Sequence, residues 1–574
     1  MSRTVLIALL ALAVRSSLNA QQQMITIQQP PGGPPGAMPM MPPRDVQQKP
    51  GTARIRGRVV AAETGLPLRK AQVRAAAPEL RENRATSTDA DGRFELKELP
   101  AGRYNVSASK GSFVSLQFGQ LRPFTPGKPI ELKDGETIEK VDFALPRGAI
   151  ITGRVVDEFG EPIADVQVAA MHYQYIQGRR RLVPAGGRPM MTNDIGEYRI
   201  FALPPGQYYL SATLRGGMMM MGDSDDRSGY APTYYPGTSN IAEAQRISVG
   251  IGQTVNEMNV SLMPARTARV SGIALDSSGK PMSGGFIMAM QTMSGGAFGF
   301  VMSTGGGQIK PDGTFSVSGL APGEYTLRAN PVGGLGEFAE FASAHVTVNG
   351  EDVTGVQLAA AKPVTVVGRI IVPPGQTFQT SGARIMTSPA DPNEIMFGPP
   401  GGGKVNDDLT FELKVPPGRV LVRLLARTSG DWTTRAERLN GVDVTDAGIE
   451  VRAGDEISGL EIEVTNQQSQ LLGTVRDGRG ALMKDYSVVV FARDRERWSY
   501  PQSRYVKTGQ PDQDGRFKIT DLPAGDYYAV ALDTIDQGEA SDPEFLERIK
   551  DRATPFSLGD GEAKSLDLKI STSG

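Results

Sequence analysis

Five times along the chain a glycine sits at the head of an apolar run, and this recurrence constrains the fold more than any other feature. The runs are Arg56-Gly57-Arg58-Val59-Val60, Thr152-Gly153-Arg154-Val155-Val156, Ser271-Gly272-Ile273-Ala274-Leu275, Val367-Gly368-Arg369-Ile370-Ile371 and Leu472-Gly473-Thr474-Val475. Their glycines stand 96 to 119 residues apart. That period is the size of a whole domain and too long for one turn of a solenoid.

A second signature follows inside each copy. Asp91-Gly92-Arg93-Phe94 leads to Leu99-Pro100-Ala101-Gly102-Arg103-Tyr104, and the pattern returns at Ile195-Gly196-Glu197-Tyr198 with Leu203 to Tyr208. It returns again at Asp312-Gly313-Thr314-Phe315 with Ala321 to Tyr325, and at Asp514-Gly515-Arg516-Phe517 with Leu522 to Tyr527. Each reads as turn, alternating strand, Pro-Gly turn and alternating strand, a hairpin whose aromatics face inward. In the fourth copy Leu409 replaces the turn glycine and Val420 the tyrosine. Closing runs such as Val141-Asp142-Phe143-Ala144-Leu145 and Leu460-Glu461-Ile462-Glu463-Val464 alternate strictly, as strands with one buried face do.

These elements predict an all-β chain, a tandem array of five seven-stranded β-sandwich domains of roughly 100 residues. The boundaries are 53–147, 148–264, 265–362, 363–467 and 468–574, called modules 1 to 5 below. The only helical spacing is a short stretch from Asp542 to Asp551. The three signatures together, with Asp157-Glu158-Phe159-Gly160-Glu161-Pro162-Ile163 after the second opening strand, resemble the carboxypeptidase regulatory-like domain. The resemblance runs from 53 to 574. It implies a transthyretin-like, Ig-like sandwich of the carbohydrate-binding-like group, an accessory module with no catalytic residues to carry over.

Residues 1–20 read as an export signal, with Arg3 ahead of eleven apolar-type residues from Thr4 to Val14. A membrane span needs about twenty, and no other stretch could supply them. The chain has no cysteine, which removes both disulfides and the residue a lipid anchor requires. Residues 21–52, rich in Pro, Gly, Met and Gln, read as a disordered tether. Lys+Arg (61) and Asp+Glu (63) nearly balance, so no basic excess exists to bind nucleic acid. A secreted or periplasmic, cell-envelope location is the expectation.

No catalytic, cofactor or metal site is expected. His172 and His345 lie in different modules and read as ordinary surface or rim residues, whereas a zinc centre needs about three converging ligands. Gly398 to Val405 mimics the spacing of a phosphate loop, but Pro399 and Pro400 lack the N–H groups that cradle phosphate. Ser107-Ala108-Ser109-Lys110 and Ser277-Ser278-Gly279-Lys280 lack the strand–helix setting of a Ser-Lys pair. The Asp-Gly turns repeat without a calcium ligand set. Met218 to Met221 read as loop decoration, and the opening strands offer no lysine for a Lys–Asn cross-link.

Binding remains. Sugar-binding sandwiches stack aromatic faces on pyranose rings, and three clusters are candidates: Tyr173, Tyr175, Tyr230, Tyr234 and Tyr235 in module 2, Trp432 beside Asp431 in module 4, and Trp498, Tyr500 and Tyr505 among arginines in module 5. Short links such as Pro146-Arg147-Gly148-Ala149 predict modules stacked end to end in a rod of roughly 150–200 Å. The expected partner is a glycan or an envelope protein. The first reading is an exported binding protein that contacts carbohydrate. The alternative is a spacer, adhesin-like or protein-binding scaffold, or an accessory subunit of a separate peptidase, with no small ligand.

Overall fold

The structure is a computed structural model describing residues 51–80, 82–176, 178–185, 189–214, 228–292, 305–331, 342–391, 402–426, 432–500 and 503–571. The export signal, nearly all of the tether, Met218 to Met221, Gly398 to Gly401 and Asp431 lie outside them. Strands dominate; the one α-helix among the described residues is Pro543–Ile549. Asp542 caps it, its carboxylate accepting the Glu544 N–H at 3.0 Å.

One strand arrangement recurs. The opening strand Ala53–Ala61 pairs antiparallel with Arg93–Leu99 and parallel with Thr137–Ile138 and Phe143–Leu145. Ala149–Val156 does the same with Glu197–Leu203, Thr254–Val255 and Val260–Ser261, and Ala268–Leu275 with Thr314–Leu320 and Val353–Ala359. Val364–Ile371 joins Thr410–Val415 and Glu456–Thr465, and Gln470–Arg476 joins Arg516–Thr520, Ala563–Ser565 and Leu568–Ser571. A second sheet is built on the strand that follows the Pro-Gly turn, as Gly102–Ser109 against Gln72–Ala76. Inside these layers lie five apolar cores, around Ile55, Ile151, Val270, Val366 and Val475; in module 5 Leu568–Ser571 also pairs with Gly525–Leu532, which joins the two layers into one sheet.

The recurring glycine has a steric cause. In all five copies it lies opposite the aromatic of the hairpin: Gly57 and Phe94, Gly153 and Tyr198, Gly272 and Phe315, Gly368 and Phe411, Gly473 and Phe517. The closing strand crosses on the other side. A Cβ on these glycines would sit 2.0 Å from the Val141 oxygen, 2.2 Å from that of Met258, 1.8 Å from that of Val356, 2.4 Å from that of Leu460 and 2.0 Å from that of Leu566. Backbone cannot retreat there without breaking the parallel pairing, so only glycine fits.

The hairpin tyrosines lock the second turn. Tyr104, Tyr208, Tyr325 and Tyr527 are all buried. Each hydroxyl donates to the carbonyl four residues back, at Pro100, Pro204, Ala321 and Pro523, over 2.6 to 2.8 Å. In the fourth copy the buried Val420 keeps the packing without the bond. Leu409 holds the turn there at φ +67°, where Gly92, Gly196, Gly313 and Gly515 take φ of +71° to +80°. A leucine in this region is strained by about 1 kcal/mol or more.

Gly57→Ala is expected to destabilise module 1 by at least about 2 kcal/mol, because the methyl group meets backbone rather than a yielding side chain. Gly111→Ala, with no atom within 4 Å of the added carbon, should stay within about 0.5 kcal/mol. Calorimetry of the full chain reads the difference.

Candidate functional site

The three aromatic clusters expected from sequence do not assemble into stacking platforms. Trp498 ends the 3-10 turn Arg495–Trp498 and is only 3% exposed. Its indole N–H donates to the Ala492 carbonyl at 2.6 Å, and its ring stands edge-on to Phe491. It is a core residue, because a hydrogen-bonded, buried indole has no face left for a sugar. Tyr505 lies between Arg497 and Arg504, whose guanidinium carbons are 4.6 and 5.9 Å from its ring centre. Tyr500 is half-buried, its carbonyl accepting the Ser503 N–H. Trp432 is half-buried against the module 4 core, edge-on to Phe378 at 5.5 Å.

The five tyrosines of module 2 divide between two places: Tyr173 and Tyr234 join a small apolar cluster, Tyr230 and Tyr235 pack on the main core, and Tyr175 lies apart from both. Tyr234 is 1% exposed, in a small cluster with Met171, Leu182 and Tyr209, and burial pushes its hydroxyl up to about 12. Tyr235, in the turn that follows the strand Thr233–Tyr234, packs on the main core. Tyr230 donates to Glu158 at 3.0 Å. Tyr173 lies edge-on to Tyr209 and under the Arg180 guanidinium at 4.2 Å, and Tyr175 abuts Gly538 of module 5.

The remaining polar candidates serve their own turns. Asp89 accepts the N–H groups of Asp91 and Arg93, and Asp512 those of Asp514 and Arg516. Lys110 donates to the Arg69 carbonyl and Ser278 to Asp276, away from any Ser-Lys pairing. Gly402–Lys404 is a strand paired with Ala383–Pro389. Among the described residues no group of three His, Asp or Glu side chains is placed to hold a metal. His345 shares a hydrogen bond with Thr326, its ring nitrogen 3.1 Å from the hydroxyl. His172 departs from the expectation of a surface or rim residue: it is 8% exposed and stacked at 4.1 Å on Phe124 of module 1.

That stack belongs to a set of contacts the sequence did not reveal. The Gln513 side chain of module 5 reads the backbone of Glu131 in module 1 through both its amide atoms, at 3.2 Å each. Arg103 of module 1 donates to the Lys518 and Gln510 carbonyls at 2.8 and 3.4 Å, and Lys128 pairs with Asp485. Module 5 also meets module 2, where the Gly178 N–H donates to the Ser541 hydroxyl at 3.0 Å. The Gln537 N–H reaches the Phe124 carbonyl, so modules 1, 2 and 5 converge at His172. Against module 4, Arg504 grips Asp446 with two bonds of 3.0 and 2.9 Å, and Arg435 pairs with Asp560 at 2.9 Å. Nearby, burial pushes the Glu437 carboxyl up to about 8 despite Arg423 at 3.3 Å. The expectation of an end-to-end rod is therefore overturned. In a straight row module 5 would touch module 4 alone, and here it touches modules 1, 2 and 4.

No curated protein matches the chain. Among solved structures, a streptococcal ancillary pilin is similar at 15% identity, over 54% of this chain and 98% of that one, with a TM-score of 0.19. The minor pilin GBS52 of Streptococcus agalactiae is similar at 11% identity over 37% of this chain and 96% of its own, with a TM-score of 0.21. The TIE protein of Bacillus anthracis is similar at 12% identity over 68% of this chain and 66% of its own, with a TM-score of 0.14. None of these scores speaks for a shared arrangement of the whole chain. The sequence signatures resolve at one place into a family match: residues 54–146 match the model of the carboxypeptidase regulatory-like domain.

Proposed function

We propose that the chain is a non-catalytic scaffold of five self-cored modules, in which module 5 holds modules 1, 2 and 4 in a fixed relation and the assembled surface binds other proteins. The observation that carries this reading is the chemistry of the junctions. Gln513, Arg103 and Arg504 bond to backbone groups or to a buried carboxylate, partners that fix position as well as proximity. The alternative of a sugar-stacking surface has less behind it, since Trp498 and Tyr234 have no open ring face. Residues 1–20 support export, and among the described residues no helix is long and apolar enough to cross a membrane. We place the scaffold at the cell envelope on the strength of that N-terminal segment.

The absence of native cysteine makes the first test direct. In a Lys128→Cys/Asp485→Cys variant a short bismaleimide should join modules 1 and 5 in high yield. The ion pair it replaces is partly exposed and contributes about 1 kcal/mol at most, so docking survives its loss. Adding Arg103→Ala and Gln513→Ala should abolish the cross-link. Absence of cross-linking in the double-cysteine chain contradicts the reading. Arg504→Ala should cost about 3–5 kcal/mol in urea unfolding, since it strands the buried Asp446.

His172 gives the scaffold a pH dependence of known sign. Burial pushes its imidazole below the ordinary value, outweighing the nearby Asp536 carboxylate, so the docked state favours the neutral ring. The stabilisation is fully present above about pH 6.5, the ordinary histidine value, and is lost progressively as the pH falls below it. His172→Phe keeps the stack on Phe124 and should flatten the melting temperature between pH 7 and pH 5. An unchanged slope in that variant would show that other groups set it.

A further inference from the structure

The junction of modules 1 and 5 forms a half-open cleft of about 360 Å³. Its floor is the outer face of the module 5 sheet, where register sets Leu472 opposite Lys518 and Thr474 opposite Arg516. Its roof is Arg103 and Glu131 of module 1. The volume falls in the range of small-molecule sites, which concentrate where domains meet.

The polar groups of this cavity are unequally satisfied. Asp512 accepts two backbone N–H groups of its own turn. Asp567 accepts the Thr474 N–H and hydroxyl at 3.2 and 2.7 Å. Glu131 stands 3.5 Å from Arg103, whose other nitrogens donate to the Lys518 and Gln510 carbonyls. Arg516 and Lys518 have no carboxylate partner among the described residues.

Ion pairs do form on the corresponding face of other modules, although Arg58 and Arg199 there, like Lys518, make none among the described residues. On the same outward face, module 1 pairs Arg56 with Glu95 at 2.8 Å, and module 2 pairs Arg154 with Glu197 at 2.8 Å. Module 4 pairs Arg369 with Glu461 at 2.5 Å. In module 5 Arg516 and Lys518 make no such pair among the described residues, and they line a cleft whose carboxylates, Glu131, Asp512 and Asp567, are already engaged by other donors.

We infer that the cleft between modules 1 and 5 is a binding site for a small anion bearing a carboxylate or phosphate group, held by Arg516 and Lys518. Arginine supplies a planar fork for such an oxyanion and lysine a point charge beside it. At about 360 Å³ the cleft matches a small molecule, and the ligand we infer is a free one. The inference rests on the docking of module 5 onto module 1, which binding would reinforce because the site is complete only when the two meet.

The test uses the full chain in chloride buffer, titrated calorimetrically at constant ionic strength with succinate in one arm and inorganic phosphate in the other. At least one anion should bind saturably, one per chain, and raise the unfolding midpoint. A response to succinate alone identifies an organic acid as the source, and a response to phosphate a phosphate group. The Arg516→Gln/Lys518→Gln variant should bind about tenfold more weakly or worse, with an unaltered circular dichroism spectrum because both side chains face outward. The Lys128→Cys/Asp485→Cys chain, cross-linked in parallel, reports docking separately. Efficient cross-linking with no saturable binding of either anion overturns the site and leaves the scaffold reading intact. Undiminished binding by the Gln/Gln variant overturns it as well.

Discussion

Each module depends on one crossing, where a glycine lies between an aromatic ring and a parallel strand. The opening strand must accept the hairpin on one edge and the closing strand on the other, and the closing carbonyl approaches within the radius of a methyl group. Glycine makes that approach possible, and Phe94, Tyr198, Phe315, Phe411 or Phe517 covers the space the missing side chain leaves. The first and last strands of each module are thereby tied together, and each core can close without a disulfide. The tyrosine bond four residues back then fixes the exit of the hairpin into the second sheet.

Modules built this way have similar interiors, so differences of function must reside on their outer faces. Several outward-facing charges of modules 1, 2 and 4 are neutralised by cross-strand pairs. Module 5 instead directs Gln513, Arg504 and Asp485 at its neighbours and leaves Arg516 and Lys518 in a cavity. Its short helix follows the same logic: the segment entering it brings Ser541 to module 2 and Gln537 to Phe124. A burial of polar side chains against backbone is costly unless every group finds a partner, so such junctions define one geometry rather than many.

The repeated parts of this architecture were legible in the sequence because each was written several times. Opening glycines, Asp-Gly turns and Pro-Gly-Tyr hairpins all appear where the alternation places them, and the helix at Pro543–Ile549 falls within the stretch read from Asp542 to Asp551. Alternation tells which face of a strand is buried but not which strand lies beside it, so the parallel pairing of opening and closing strands was not legible. Trp498 was misread because Arg495 and Arg497 flank it: neighbouring charges suggested an exposed loop, and the 3-10 turn rotates the indole inward. The junctions left no pattern, resting on single side chains such as Arg103 and Gln513 that bond to backbone 415 and 382 residues away. The fourth copy shows the limit of the motif, since Leu409 adopts the left-handed turn without glycine.

Every module is closed by its own glycine crossing. Hydrogen exchange on the intact chain tests it most directly. The amides of Ala53–Ala61, Ala149–Val156, Ala268–Leu275, Val364–Ile371 and Gln470–Arg476 should be the slowest in their modules, giving five separate centres of protection. An opening strand exchanging as fast as the loops around it would contradict the claim.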